Sequence, residues 1–177
     1  MRENQKLIKI NMNEEKHKYQ TELYKCIKAF NIEHINEQDK IELLKLFSVT
    51  DNPLIFNHIA LIFSDIQLHT ATRKIINKIL SGKYDNYVGT LVYALENLDC
   101  KKDIIAIIKI LCTKDYEARL HAFEIVEKNA NSISKKNRTI ALDILKKAKV
   151  EQKKTDKNMG ENSTIHFIEQ TIQLLEL

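Results

Sequence analysis

Residues 103–112 read Asp-Ile-Ile-Ala-Ile-Ile-Lys-Ile-Leu-Cys. Apolar side chains fall on nearly every side of a 3.6-residue helix drawn through them, which suits a central helix covered by neighbours and not a surface one. The density of β-branched residues also suits a strand. A ten-residue strand here would stand isolated, however, because every flanking segment carries helical periodicity and no partner strand is in evidence. The stretch therefore predicts a buried helix in an all-α chain.

Working outward, the flanking segments repeat the helical spacing. Towards the C-terminus, residues 116–129 place Ala118, Ala122, Phe123, Ile125 and Val126 on one face, and residues 137–148 do the same with Ile140, Ala141, Ile144, Leu145 and Ala148. Towards the N-terminus, Val88, Leu91, Val92, Leu95 and Leu98 share a stripe in a helix beginning near Asp85. Helices are expected over 66–81, ending where Gly82 can take the left-handed C′ conformation, over 53–64 behind Pro53, over 39–48, and over 14–30 with Tyr19, Leu23, Cys26, Ile27 and Phe30 on one stripe. Residues 1–13 support no assignment. The polar run 149–162 reads as a linker, and Ser163 can cap a last helix over 164–176. The expected organisation is an N-terminal segment 1–13, a helical domain 14–148, a linker 149–162 and a C-terminal helix 163–177.

Composition agrees. The 177 residues include 3 Gly and 1 Pro, too few turn formers for an antiparallel sandwich, and 44% are hydrophobic. No apolar run approaches a membrane span and no signal-peptide core follows the N-terminus, so a cytoplasmic protein without membrane contact is expected. Cys26, Cys100 and Cys112 have no CxxC spacing and read as reduced, partly buried thiols.

The segments resemble one another. Asp51, Asn52, Ala60 and Leu61 are matched 34 residues later by Asp85, Asn86, Ala94 and Leu95, and Lys78-Ile79-Leu80 recurs as Lys109-Ile110-Leu111 after 31. Helix pairs 53–81, 85–113 and 115–148 follow, preceded by 14–48. Such pairs cannot cover their own apolar faces and stack to share a core. Over about residues 37–148 the chain resembles the HEAT and armadillo-like helical repeats: an Asp opens each unit (Asp51, Asp85, Asp115), an Ala lies inside the first helix (Ala60, Ala94, Ala122), the second helix is apolar, and Asp115 to Arg119 stands for the family's Asp-Val-Arg element. The resemblance implies a right-handed α-solenoid of antiparallel helix pairs, with the last helix as a terminal cap. An irregular helical bundle is the alternative.

Chemistry-bearing motifs are sparse. His17, His34, His58, His69, His121 and His166 form no HExxH or zinc spacing, Gly82, Gly89 and Gly160 are too scattered for a phosphate loop, and no cysteine has a neighbouring histidine in sequence. The expectation is a non-enzyme with no catalytic, metal or cofactor site. Some HEAT-like proteins are alkylpurine DNA glycosylases, but their prominent Trp is absent here.

The net charge of +4 is concentrated: residues 135–157 hold nine Lys/Arg against three acids. Helical solenoids bind other macromolecules along the face built by successive second helices. The expected binding ridge is Arg73, Lys74, Asn77, Lys78, Lys109, Asp143, Lys146 and Lys147, with Tyr84, Tyr87, Tyr93 and Tyr116 as anchors, since Tyr is prominent in interface energetics. The partner expected is another protein. By analogy the chain fits an immunity protein that occludes a toxin; the rival is a nucleic-acid-binding repeat protein using 135–157.

Overall fold

The structure is a computed structural model that describes residues 18–30, 32–155, 160 and 162–176. Residues 1–13, for which no element was assigned, lie outside them. The described residues are helical and contain no strand. The chain divides within α3 into two units, Met1–Ile59 and Ala60–Leu177.

In the first unit, α1 covers 18–28, α2 is Glu37–Val49 and α3 begins at Pro53. Asn36 and Asp39 close a reciprocal capping box, each side chain accepting the other's backbone N–H at 3.0 Å, so α2 starts two residues before the predicted position. Ile27, Leu43, Phe47, Ile55, Phe56 and Ile59 are buried. The expected α1 stripe is only partly covered: Tyr19 is 67% exposed and Cys26 is exposed, which corrects for that residue the reading of the three thiols as partly buried.

In the second unit, α3 ends at Asp65 and is followed by α4 (Thr72–Leu80), α5 (Gly89–Leu95), α6 (Ile104–Thr113), α7 (Tyr116–Asn129), α8 (Lys135–Thr155) and α9 (Thr164–Glu176). Gln67 at φ 51° and a 3-10 turn over His69–Ala71 replace the first turns of the helix expected from 66. Likewise a 3-10 turn over Asp85–Tyr87 precedes α5, which is shorter than the stripe suggests. Gly82 does adopt the left-handed conformation, φ 72°, beyond the end of α4.

Helix α6 is the central element. It packs on α4, α7, α8 and α9, and Ile104, Ile107, Ile108, Ile110, Leu111 and Cys112 are buried. Sequential helices touch in the pairs α4–α5, α6–α7 and α8–α9, while alternate helices also touch, α4–α6–α8 on one hand and α5–α7–α9 on the other. Ala94 and Ala122, two of the residues that carry the repeat resemblance, are fully buried on α5 and α7, where a small side chain permits close helix approach.

The linker expected at 149–162 is corrected over its first half, where α8 continues to Thr155. Lys, Glu and Gln are good helix formers, and Lys149 is anchored to Glu169 of α9 at 2.9 Å, so the helix persists without an apolar stripe. Helix α9 starts where predicted, with the Ser163 hydroxyl accepting the His166 N–H at 3.2 Å. It buries Ile165, Phe167, Ile168, Thr171 and Leu175 and packs on α6, α7 and α8.

Candidate macromolecule-binding face

Helices α4, α6 and α8, placed second in the units expected from the sequence, share an unusual charge pattern. Neither α4 (TRKIINKIL) nor α6 (IIAIIKILCT) contains an acidic residue, and α8 sets Asp143 and Glu151 against a far larger number of lysines. Acids collect on the other helices: Glu117, Glu124 and Glu127 on α7, and Glu169 and Glu176 on α9, which carries no Lys or Arg. Because α6 touches both α4 and α8, the cationic helices are neighbours.

Most residues of the expected ridge are exposed here: Arg73, Lys74 and Asn77 on α4, Lys109 on α6, and Asp143, Lys146 and Lys147 on α8. Arg73 and Lys146 are among those with internal partners. Arg73 donates to Asp103 Oδ1 at 2.5 Å, and Lys146 lies 2.9 Å from Glu176 Oε1, towards α9. Lys78 is half-buried, its ammonium 5.0 Å from the centroid of the Tyr84 ring, with Lys83 at 5.2 Å.

Tyr84 lies beside the ridge cation Lys78. Tyr87 precedes α5, Tyr93 is on α5 with its ring edge-on to His121 at 5.2 Å, and Tyr116 opens α7 edge-on to Phe167 at 6.0 Å. All three are about half exposed.

Polar links missed in the sequence join segments about 30 residues apart. Asn97 donates to Ser64 at 3.1 Å, the Asp99 N–H to His69 Nδ1 at 3.1 Å, Lys114 to Asp85 at 2.6 Å and the Lys128 ammonium to the Glu96 carbonyl at 2.8 Å. With Arg73–Asp103, these links span 29 to 33 residues, close to the offset expected from the sequence. The offset of 31 to 34 seen in the sequence was the available signal. His121 Nδ1 lies 2.6 Å from Glu96 Oε1, and buried Arg119 donates to the Lys114 and Asn162 carbonyls at 2.8 and 3.3 Å.

The chemistry of the remaining groups is subdued. Burial, reinforced by Asp103 and Asp99, pushes the Cys100 thiol up to about 12, and burial pushes Cys112 up to about 11 against the pull of Arg119, so both stay protonated at neutral pH. The hydrogen bond from Lys149 holds the Glu169 carboxyl below its ordinary range. Among the described residues, no group of three or more His, Cys, Asp or Glu is placed to hold a metal ion, and no helix is long and apolar enough to cross a membrane. No family model matches the chain, and neither a curated protein nor a solved structure matches it.

Proposed function

We propose that this chain is a non-enzymatic helical-repeat protein that binds another protein, and that it acts as an immunity protein by occluding a toxin. In this reading the Ala60–Leu177 unit is a short HEAT-like solenoid, a description supported by the alternate-helix contacts and by polar links recurring at one repeat length. The observation that carries the binding function is the charge segregation: Lys74 and Lys109 stand exposed on adjacent helices that contain no acid.

Such a face complements an acidic partner surface. Its charges would steer association, while partner contacts with the half-exposed tyrosines would slow dissociation. Occlusion needs no catalytic group in the inhibitor; it requires only that the partner's substrate and this face cannot be accommodated together. The alternative, nucleic-acid binding through residues 135–157, draws on the continuation of α8 to Thr155, which brings Lys153 and Lys154 onto one helix with Lys135 and Lys136.

Salt titration separates the two. Phosphate binding predicts a steep log–log loss of affinity, with a slope near −0.9 per neutralised phosphate on duplex DNA, as counterions are released. A packed protein interface predicts a shallow one. The deciding experiment is co-purification of the tagged chain from its native cells with and without nuclease, followed by an activity assay on whatever is captured. A stoichiometric protein that survives nuclease and loses its activity when the purified chain is added supports the proposal. Recovery of nucleic acid alone, lost on nuclease treatment, overturns it.

A further inference from the structure

We propose that the solvent face of α8 docks on an anionic lipid surface. The helix has 21 residues and so runs about 31 Å at 1.5 Å per residue. Its solvent side carries Lys135, Lys136, Lys146, Lys147, Lys153 and Lys154, all exposed. Projected at about 100° per residue they form two rows, 135/146/153 and 136/147/154. Val150, 57% exposed, falls between the rows, and Ile140, 37% exposed, at the edge of the second. On the opposite side Ala141 and Leu145 are fully buried, which fixes the lysine rows outward.

The occupant follows from this mixture. Aliphatic side chains set among lysines add nothing to contact with a nucleic-acid backbone, and α8 has no aromatic residue on which a base could stack. A bilayer surface offers a flat array of negative headgroups over an apolar layer. Lysines there extend their stems across the apolar boundary and leave the ammonium among the headgroups, while Ile140 and Val150 face the acyl edge. Asp143 and Glu151 lie on the solvent side and oppose this contact, and Glu176 partly neutralises Lys146. The contact is peripheral, distinct from spanning, and independent of the toxin reading.

The test is co-sedimentation of the full chain with vesicles of phosphatidylcholine alone or mixed with phosphatidylserine, at low and physiological salt. Binding is expected only to the phosphatidylserine vesicles and falls with salt. At about 1 kcal/mol per basic residue near such a surface, each lysine removed weakens partitioning about fivefold, so Lys135→Gln with Lys136→Gln lowers it by about 25-fold. Asp143→Asn is expected to strengthen it, and Val150→Ser to weaken it without changing the salt dependence. All of these positions are exposed, and an unchanged circular-dichroism melt verifies folding. Binding that ignores phosphatidylserine, or that is unmoved by both the lysine and Asp143 changes, overturns the proposal. So does tighter binding to duplex DNA or single-stranded RNA at the same salt, which would assign the face to nucleic acid.

Discussion

Ile168→Ala is the substitution that most directly probes the packing of the last helix. Ile168 is fully buried on α9, the helix that lies against α6, α7 and α8. Truncation removes three buried carbons and leaves a cavity that the surrounding helices close only in part, which costs about 2–5 kcal/mol at such sites. Because Ile168 is fully buried, a value near 3 kcal/mol is expected, a large part of the roughly 5–15 kcal/mol that holds a domain together. For a unit the size of Ala60–Leu177 this corresponds to a fall in Tm of about 10 °C. Urea denaturation followed by far-ultraviolet circular dichroism reads the change as a shift in midpoint at constant slope. Gln170→Ala, at an exposed position of the same helix, is the control and should stay within about 0.5 kcal/mol of the parent. If Ile168→Ala behaves like that control, α9 is not a packed element of the core and the account of this unit is wrong.

Deleting residues 160–177 should uncover the apolar faces of α6, α7 and α8 and cause aggregation; a truncated chain that remains monomeric by light scattering with unchanged melting would contradict that. Gly82→Ala should destabilise by about 1–2 kcal/mol in the same urea assay although nothing lies within 4 Å of the added methyl, because the cost arises from the φ of 72°. Among the three cysteines, the exposed Cys26 should react with a disulfide reagent at pH 8 while Cys100 and Cys112 wait for unfolding. Above pH 9 the unfolded chain ionises these two thiols before the folded one, whose values are near 12 and 11. It then binds fewer protons than the native state, so stability should fall across that range, and a flat profile from pH 9 to 11 would refute the burial argument.

What could be read in advance depended on how local its cause is. Helix α6 was legible because an apolar run without polar relief has few other places to go, and α9 because Ser163 and the Ile165, Ile168, Ile172, Leu175 spacing mark both its cap and its face. Boundaries failed where polar chemistry decides them. The Asn36–Asp39 box extended α2, the Gln67 backbone shortened α4, and Lys149 bonding to Glu169 across two helices kept α8 going through a segment with no apolar period. For the candidate face, the charged positions were legible because a lysine on the polar side of an amphipathic helix has to face water. Their internal ties were not, since Arg73–Asp103 and Lys146–Glu176 depend on which helices become neighbours. The tyrosines were expected as anchors from their places near helix starts and from the weight of Tyr in interfaces; that Tyr93 meets His121 and Tyr116 meets Phe167 depends on which helices become neighbours.

The central claim is that the acid-free faces of α4 and α6 capture a protein partner. The measurement that bears on it most directly is nuclease-treated co-purification from native cells at physiological salt, comparing the parent chain with a Lys74→Glu, Lys109→Glu variant that leaves α8 untouched. The account predicts one stoichiometric protein with the parent chain and at least a tenfold loss with the variant, whose folding is verified by a circular-dichroism melt. Equal recovery of the same protein by both chains would contradict it.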